Sequence, residues 1–527
     1  MKKIKRKKNP KNREVIEERQ APKPPSEERI SYSQLSKSIN DNYEKFQAFL
    51  KESTDAVFRR FRLGINGIDC AIVYIDGLTD KTVIIESILR PMMLTVSDEG
   101  KDAESRSGTD NAYDLVLNYL VAAAEIKETD NLDEAMLSVM SGETALIIDG
   151  YNRIILISTR GWPVRGISEP ETESVIRGAK EGFTETLRIN TALLRRKCKD
   201  PNMVVRTVRL GRRSKTDIAY VYIKGITNPL LIEELEERLN RIDIDQVIDS
   251  GHLEQLIQDN SMTTLPQIQS TERPDKAVAN LMEGRVVILV DNSPFALMIP
   301  TTFSQLFQSP EDYSERWIVS SGIRALRWIS SFLAVFTPAV YIAVVTYHPG
   351  LIPTRLALSI AATRDGVPFP SIIEALLMET TIELLRESGA RLPGAIGQTI
   401  GIVGGLIIGD AAVSAGITSP IMVIVVALTA IASFVIPTYS AAIGLRIMRF
   451  PLMILAGILG LYGVMIGFII INIHLASIKS FGMSYMTPQA PTIFQDMKDF
   501  IIRAPARSMK KRPIQAYPID MIRMDMD

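Results

Sequence analysis

The chain has 527 residues, and its 60 Lys and Arg side chains balance 60 Asp and Glu side chains. This length exceeds that of one ordinary domain, and the neutral balance gives no indication of nucleic acid as a partner. Two cysteines and three histidines are too few and too scattered for a disulfide framework or a zinc site, so we expect a reducing compartment and no metal.

The N-terminal segment is basic. Eight of the first thirteen residues are Lys or Arg, and Pro22, Pro24 and Pro25 follow among further charges. A segment of this composition cannot bury enough apolar surface to fold, so we predict a basic disordered segment over residues 1–44. Because no apolar stretch follows the basic start, we predict no cleavable signal, and the long first region stays on the side of synthesis.

The following region contains an internal repeat. Ala71–Thr79 matches Ala219–Thr227 at six of nine positions, and residues at helical spacing follow each copy. Each copy therefore predicts a strand, a glycine turn and a helix. We predict two tandem α/β subdomains, over residues 45–190 and 191–320. The turn glycines of the two copies should occupy equivalent positions and adopt positive φ.

Aspartates end repeated strands in this region. Asp149 and Asp291 each stand seven residues after a glycine, across an apolar stretch. Aspartate after a strand commonly accepts hydrogen bonds from nearby backbone, and for Asp76 and Asp149 we favour this role over catalysis. Lys224 occupies the position equivalent to Asp76, so a catalytic carboxylate required in both copies is excluded. We predict no catalytic residue and no cofactor.

Uncharged stretches after residue 327 predict membrane-spanning helices. Residues 328–354, 411–445 and 450–478 contain no Asp, Glu, Lys or Arg. Each exceeds the roughly 20 residues that a helix needs to cross a bilayer. A further apolar stretch precedes the second of these, so that two spans, 394–417 and 420–443, are predicted there.

We thus predict an all-α polytopic membrane domain over residues 321–480, with four to five spans and an amphipathic segment, and a basic C-terminal tail over residues 481–527. Four spans place the tail on the same side of the membrane as the N-terminus, whereas a fifth crossing reverses this. The distribution of positive charge does not decide between them.

The amphipathic segment, residues 355–391, holds too many charges for a helix exposed to lipid. Within residues 371–388, Glu379, Glu383 and Glu387 recur every four residues on one face of a predicted helix. This helix can lie in the interface, re-enter the membrane or line an aqueous cavity. Glu379 and Glu383 are candidate ion-pathway residues if several copies surround one axis, and a solvated surface face is the alternative.

A row of glycines precedes the second uncharged stretch. Gly397, Gly401, Gly405 and Gly409 recur at four-residue spacing, which predicts a helix face that another helix approaches closely. The alternative is that this face lines a central pathway. Asp410 follows the row, and a carboxylate there can attract ions or simply mark the end of a helix.

Several short motifs point to one protein family. They are Pro266-Gln267, Thr271-Glu-Arg-Pro-Asp275, Glu283-Gly-Arg285 before Asp291, Phe307-Gln-Ser-Pro-Glu-Asp-Tyr313, Val367-Pro-Phe-Pro370, Glu383-Leu-Leu-Arg-Glu387 and Arg391-Leu-Pro393. Together these motifs resemble the spore germination receptor A-subunit family, the GerA family. The resemblance runs from about residue 50 to residue 480, and a sibling branch, the stage V sporulation A-subunit-like proteins, shares the motifs.

The resemblance implies a nutrient-sensing complex in the inner membrane of a bacterial spore, with the large N-terminal region on the cytoplasmic, or core, side. The expected partners are a transporter-like B subunit and a lipoprotein C subunit. The resemblance also implies that the A subunit forms a homo-oligomer with a channel that releases cations early in germination.

Three hypotheses about function follow from the residues and the resemblance. The first is a receptor and channel subunit, the second is a secondary transporter, and the third is a membrane scaffold that docks partner subunits. Transporters commonly contain inverted repeats among their spans, whereas this sequence repeats itself only in its soluble region. The transporter hypothesis is therefore disfavoured.

Overall fold

The computed structural model describes residues 35–64, 67–94, 110–122, 125–161, 169–170, 172–391, 405 and 407–524. They form two compact units. The α/β unit contains the residues up to Gln258, Ile268–Pro300 and the residues from Lys510 onward. The helical unit contains Asp259–Gln267 and Thr301–Met509. The chain therefore leaves the α/β unit, builds the helical unit and returns at its C-terminal end.

The α/β unit contains two five-stranded sheets. Their strands, in chain order, are β1 (Ala56–Arg62), β2 (Asp69–Ile75), β3 (Ile126–Thr129), β4 (Glu143–Ile148), β5 (Ile154–Ser158), β6 (Met203–Leu210), β7 (Thr216–Ile223), β8 (Gln269–Thr271), β9 (Val286–Val290) and β10 (Ala296–Ile299). The first sheet has the order β1-β2-β4-β5-β3, and the second has the equivalent order β6-β7-β9-β10-β8. This repetition confirms the predicted duplicated α/β region.

The turns after β2 and β7 repeat the same backbone conformation. Gly77 has a φ of 92° and Gly225 has a φ of 86°. Only glycine adopts such values without steric penalty, which explains why both copies carry it. The predicted equivalence of the two glycines is confirmed.

Helices cover both sheets. They are α1 (Ile39–Leu50), α2 (Leu132–Met140), α3 (Leu187–Lys197), α4 (Pro229–Asn240), α5 (Ser250–Ile257) and α6 (Pro274–Met282), with short helical segments at Lys81–Val83, Ile84–Leu89, Arg90–Leu94, Asp110–Leu115, Val116–Leu120 and Ile514–Ala516. In β2, Ala71 and Val73 pack in one core with α1 and α2, whereas Cys70 and Ile72 pack in a second core on the other face. Successive side chains of a strand point to opposite faces of the sheet, so β2 contributes apolar side chains to both cores.

Asp149 and Asp291 bind the first turns of distant helices. The Ile39 amide of α1 donates to Asp149 Oδ1 at 2.9 Å, and the Leu187 amide of α3 donates to Asp291 Oδ1 at 3.1 Å. A carboxylate at a helix N-terminus accepts an otherwise unsatisfied N–H and interacts favourably with the helix dipole. Asp149 thus accepts from backbone as predicted, but its donor lies 110 residues away rather than nearby. The Asp76 carboxylate, for which the same role was predicted, instead lies 2.9 Å from Lys81 Nζ.

The structure differs from several predicted boundaries. Helix α1 begins at Ile39, inside the segment predicted to be disordered, because its apolar side chains pack in the core of the first subdomain. The predicted boundary at residue 190 cuts through α3, which packs against the second sheet. Phe303–Phe307, predicted as part of the second subdomain, packs in the core of the helical unit instead.

Among its described residues, the helical unit contains six helices of at least eleven residues. They are α7 (Trp317–Tyr347), α8 (Thr354–Arg364), α9 (Ser371–Arg391), α10 (Pro420–Phe434), α11 (Tyr439–Leu459) and α12 (Leu461–Ser477), with shorter helical segments at Phe303–Phe307, Glu311–Ser314, Pro349–Leu351, Asp496–Lys498 and Ala506–Ser508, and the two-residue strands β11 (Lys479–Ser480) and β12 (Met483–Ser484). Among the described residues, α7 and α11 are long and apolar enough to cross a membrane, and α10 and α12 are shorter apolar helices.

Two predicted spans are divided in the structure. The predicted span 420–443 is interrupted after α10 and continues in α11, which begins at Tyr439. The predicted span 450–478 is broken at Gly460, which has a φ of 61° and separates α11 from α12. Uncharged length alone does not distinguish one long helix from two shorter ones joined by a glycine turn. The predicted span 394–417 lies mostly outside the described residues, and residues 407–414 of it are helical.

Residues 510–524, here called the C-terminal clasp, return to the second subdomain. The Ile519 amide donates to the Ile226 carbonyl at 2.8 Å. In the first subdomain the equivalent carbonyl, Leu78 O, accepts from the Gly161 amide at 3.1 Å. The clasp therefore occupies the position that the chain directly after β5 occupies in the first copy. The predicted basic tail is in this part a packed element, since Arg512 Nε also donates to the Met282 carbonyl at 2.7 Å.

Candidate functional site

Helix α9 buries two of its acidic side chains. Glu374 and Glu379 are buried, whereas Ile373, Leu377 and Leu384 are exposed. This is the reverse of the arrangement in a soluble protein. It is the arrangement expected where lipid surrounds the helix, because a carboxylate exposed to hydrocarbon is costly and an apolar side chain is not.

Glu379 forms a buried ion pair with Arg449 of α11. Its other carboxylate oxygen accepts from Thr429 Oγ1 of α10 at 3.0 Å. The carboxylate thus contacts two further helices, and Arg449 neutralises its charge. A buried charge of this kind is tolerated only when paired, so we infer that Glu379 and Arg449 must be present together.

Glu383 lies one helical turn further along and is more accessible. Its Oε1 accepts from Arg386 Nη1 at 3.1 Å and lies 3.3 Å from Nε of Arg446. The Glu383 side chain is 29 % exposed, whereas that of Glu379 is 0 % exposed. Of these two glutamates, only Glu383 therefore has a side chain that is partly accessible.

Arg386 connects this layer to α10. Its Nη2 donates to Ser433 Oγ at 3.2 Å, and its guanidinium carbon lies 4.7 Å from the ring centroid of Phe434. A guanidinium over an aromatic face is attracted by the ring quadrupole. Arg386 is therefore held by Glu383, a hydroxyl and an aromatic ring.

Glu374 receives the N-terminus of α10. Its Oε1 accepts from the Ser419 amide and the Ser419 hydroxyl, both at 2.6 Å, and from Thr418 Oγ1 at 3.0 Å. Its Oε2 accepts from Arg364 Nη1 at 2.7 Å. The carboxylate satisfies one backbone donor that the start of a helix leaves free, together with two hydroxyls. Its role is therefore structural.

These contacts form a seam between α9 and α11. Glu379 and Glu383 stand four residues apart, and their partners Arg449 and Arg446 stand three residues apart, so each row follows one face of its helix. We call Glu379, Glu383, Arg386, Arg446 and Arg449 the charged seam. Its fixed charges hold the helices together and leave one carboxylate partly accessible.

The glycine row is only partly described. Gly397 and Gly401 lie outside the described residues. A side-chain carbon at Gly405 would meet nothing within 4 Å, and one at Gly409 would lie 3.6 Å from Val423 Cγ1 of α10. Asp410 is exposed. The row and Asp410 therefore stay predictions as packing and pathway residues, and neither joins the charged seam in the contacts of the described residues.

A family model described as Bacillus/Clostridium GerA spore germination protein matches residues 44–515. The chain belongs to this family. It is 43 % identical to the uncharacterized membrane protein YfkQ of Bacillus subtilis over 91 % of both chains. It is 41 % identical to spore germination protein KA of Bacillus subtilis over 94 % of this chain and 89 % of that protein.

A solved structure also resembles part of this GerA-family chain. The crystal structure of the N-terminal domain of the A subunit of the Bacillus megaterium spore germinant receptor GerK3 is 33 % identical to it. The match has a TM-score of 0.41 and covers 52 % of this chain and 98 % of that one. The relatives and the apolar helices make this GerA-family chain a membrane protein.

One family motif has a structural explanation. In the Phe307–Tyr313 motif, Asp312 is buried and accepts from Arg327 Nη1 at 2.8 Å and from Arg324 Nε at 3.2 Å. Arg324 Nη1 also donates to Asp499 Oδ1 at 2.7 Å. Both arginines lie on α7, so the motif anchors the start of this long helix in the GerA-family chain.

Sequence reasoning placed Arg386 beside Glu383 but missed the roles of Arg446 and Arg449 in the charged seam. Arg446 and Arg449 interrupt an apolar stretch, and this isolation is the signal that could have identified them, since an arginine among apolar residues of a membrane helix needs a partner. It also missed Gly457, Gly463 and Gly467. An added carbon at these glycines would overlap atoms of Ile372, Leu455 and Leu452 respectively.

Proposed function

We propose that this chain is the A subunit of a spore nutrient germinant receptor, and that it oligomerises into a cation-conducting channel that signals germination. The observation that carries the proposal is the family match from residue 44 to residue 515, which spans both the α/β unit and the helical unit. The names of the relatives, among them spore germination protein KA, support the receptor role.

The charged seam supports the channel part of this proposal. A carboxylate held at a fixed place among membrane helices attracts cations, and rings of such groups select for them. Glu383 is the accessible carboxylate of the seam. We infer that Glu383 faces the ion pathway in the assembled channel, and that Glu379 stabilises the helices that carry it.

The proposed location is the inner membrane of the spore, with the α/β unit on the cytoplasmic side. The C-terminal clasp supports an even number of membrane crossings. The chain enters the helical unit after Pro300 and hydrogen bonds to the second subdomain again through Ile519, so both ends of the helical unit belong to one side. The proposed partners are a transporter-like B subunit and a lipoprotein C subunit.

The channel is tested with the full chain reconstituted in liposomes. We expect K⁺ efflux from these liposomes, and we expect Glu383→Gln to lower the preference for cations over anions severalfold. Glu387→Gln is the matched control, because Glu387 lies on the same helix and is exposed. Glu379→Gln should instead lower the amount of folded protein, because it leaves Arg449 buried without a counter-charge.

The channel role and the receptor role can each be overturned by a separate result. A folded, oligomeric protein that passes no K⁺ would favour a scaffold that docks partners over a channel. Spores that lack the chain and still respond to every nutrient of the parent strain, with no change in rate, would exclude the receptor role.

A further inference from the structure

Within the chain, α3 of the second subdomain packs on the glycine turn of the first. A side-chain carbon at Gly77 would lie 3.2 Å from the Arg188 carbonyl and 3.5 Å from Ala192 Cβ. Arg188 Nε lies 3.9 Å from Asp76 of the same turn. Ala192 is buried in the core of the first subdomain. The two subdomains are thus joined by a helix face on a glycine turn.

The duplication supplies a second helix of the same kind. Ile39 and Leu187 are equivalent, because each donates its amide to the aspartate that follows the fourth strand of its sheet. Counting five residues on from each, Glu44 of α1 corresponds to Ala192 of α3. Ala192 is buried, whereas Glu44 is exposed. Helix α1 therefore presents outward the face that α3 buries.

The duplication also supplies a second glycine turn. Lys224 and Gly225 are exposed, whereas the equivalent Asp76 and Gly77 are partly covered by α3. A side-chain carbon at Gly225 would meet nothing within 4 Å. The C-terminal clasp does not fill this place, since Ile519 takes the position equivalent to Gly161 rather than to α3.

The charges of the two open surfaces are complementary. The exposed face of α1 carries Asp41 and Glu44. The open turn carries Lys224, whose side chain is 60 % exposed and whose Nζ donates to Glu52 Oε1 at 3.0 Å. Opposite charges on the two surfaces favour docking and fix its orientation.

We propose that the α1 face of one copy docks on the Lys224–Ile226 turn of a second copy, and that this contact repeats between copies the one that α3 makes with the Asp76–Leu78 turn inside each chain. The contact is head to tail, so it closes into a ring where the rotation allows. This inference rests on the proposed function, because it names the interface of the proposed oligomer.

Disulfide cross-linking tests the contact. Gly77 and Ala192 are at the Cβ separation that a disulfide requires, so the equivalent pair between copies is Glu44 and Gly225. Full-length Glu44→Cys with one affinity tag and full-length Gly225→Cys with another are co-expressed and oxidised. We expect a disulfide-linked dimer carrying both tags, at least about tenfold above single-variant controls, since matched cysteines link only where their Cβ atoms approach.

Two controls match this pair. Glu44→Cys with Glu237→Cys places the second cysteine on another exposed site of the same subdomain and should not link. Gly77→Cys with Ala192→Cys in one chain should link internally, and its first cysteine carries the same positive-φ strain as Gly225→Cys. Charge reversal by Glu44→Arg should also weaken the oligomer, and Glu237→Arg should not.

The outcomes separate this inference from the proposed function. An oligomer in native mass spectrometry that gives no Glu44→Cys to Gly225→Cys link, while the internal control links, would overturn the interface and leave the oligomer standing. A protein that is monomeric in mild detergent and in nanodiscs would overturn the proposed oligomer itself and the interface with it.

Discussion

Arg195 and Asp55 form a buried two-point ion pair, with Nε donating to Oδ2 and Nη2 donating to Oδ1, each at 2.9 Å. Arg195 belongs to α3 of the second subdomain, and Asp55 precedes β1 of the first. Both side chains are 1 % exposed. Arg195 Nη1 also donates to the Met203 carbonyl at 2.8 Å. Arg195 is thus one of the contacts that hold the two copies of the repeat together.

Removal of one partner of this pair should destabilise the α/β unit. Arg195→Met leaves the Asp55 carboxylate buried without a counter-charge, which costs about 3–5 kcal/mol of unfolding free energy. Hydrogen exchange of β1 and α3 in the full chain measures the effect. The double variant Arg195→Met with Asp55→Leu should recover much of the loss. If the double variant were as unstable as the sum of the single variants, the pair would not be the cause.

The two helix-capping aspartates should have equal effects. Asp149→Ala and Asp291→Ala each remove an acceptor from a helix N-terminus, and each should lower the local unfolding free energy by about 0.5–2 kcal/mol. Hydrogen exchange of α1 and of α3 reports the two losses separately. Asp243→Ala is the control, because its ion pair with Arg212 is largely solvated. A large effect of one cap and none of the other would contradict their equivalence.

Both cysteines should be inert in the native protein. Cys70 is 0 % exposed and Cys198 is 2 % exposed. Burial raises the pKa of Cys70 to about 12 and also raises that of Cys198. Because the thiolate is the reactive form, maleimide at pH 7 should label neither residue until a denaturant is added. Rapid labelling of the folded chain would show that the hydrophobic core around one of the two cysteines opens.

The helix pair around Gly460 should be intolerant of side chains. An added carbon at Gly463 would overlap the Leu455 carbonyl, whereas one at Gly409 would make ordinary contact with Val423. We therefore expect Gly463→Leu to lower the amount of folded protein by more than half, since overfilling a packed site costs roughly 1–3 kcal/mol. Gly409→Ala should be tolerated. Blotting and detergent size-exclusion chromatography compare the two, and equal behaviour would refute the close contact.

Glu254 should make α5 more stable in acid than in base. Burial raises the pKa of its carboxyl from 4.5 to about 7. The folded state therefore binds more protons than the unfolded state between these pH values, so the favourable effect is complete below pH 4.5 and is lost as the pH rises through about 7. Exchange of α5 amides, corrected for the intrinsic rate, should show this trend. Glu254→Gln should abolish this pH dependence. If the pH dependence persists in the variant, another group causes it.

The sequence was informative where a pattern is local or repeated. The nine-residue repeat predicted the equivalent glycine turns, because a strand and its turn depend on neighbouring residues. It also predicted an acidic helix face over Glu379 and Glu383. It could not show that this face turns inward, because Arg449 lies 70 residues beyond Glu379 and its position depends on tertiary packing.

Apolar length was the least reliable guide. Residues 450–478 are uncharged throughout, yet the structure divides them at Gly460. The chain is uncharged and apolar on both sides of Gly460, so composition does not mark the break. Close approach between them is set by Gly463 and Gly467, and small residues reveal a contact only when the facing helix is known.

The C-terminal clasp also determines when this protein can finish folding. Ile226 is synthesised nearly three hundred residues before Ile519, the residue whose amide it binds. Every membrane helix leaves the ribosome between these two events. The second subdomain therefore completes its hydrogen bonding only after the last helix has been translated, and a truncated product lacks the donor altogether. Complete hydrogen bonding of the second subdomain therefore requires that the whole chain has been synthesised.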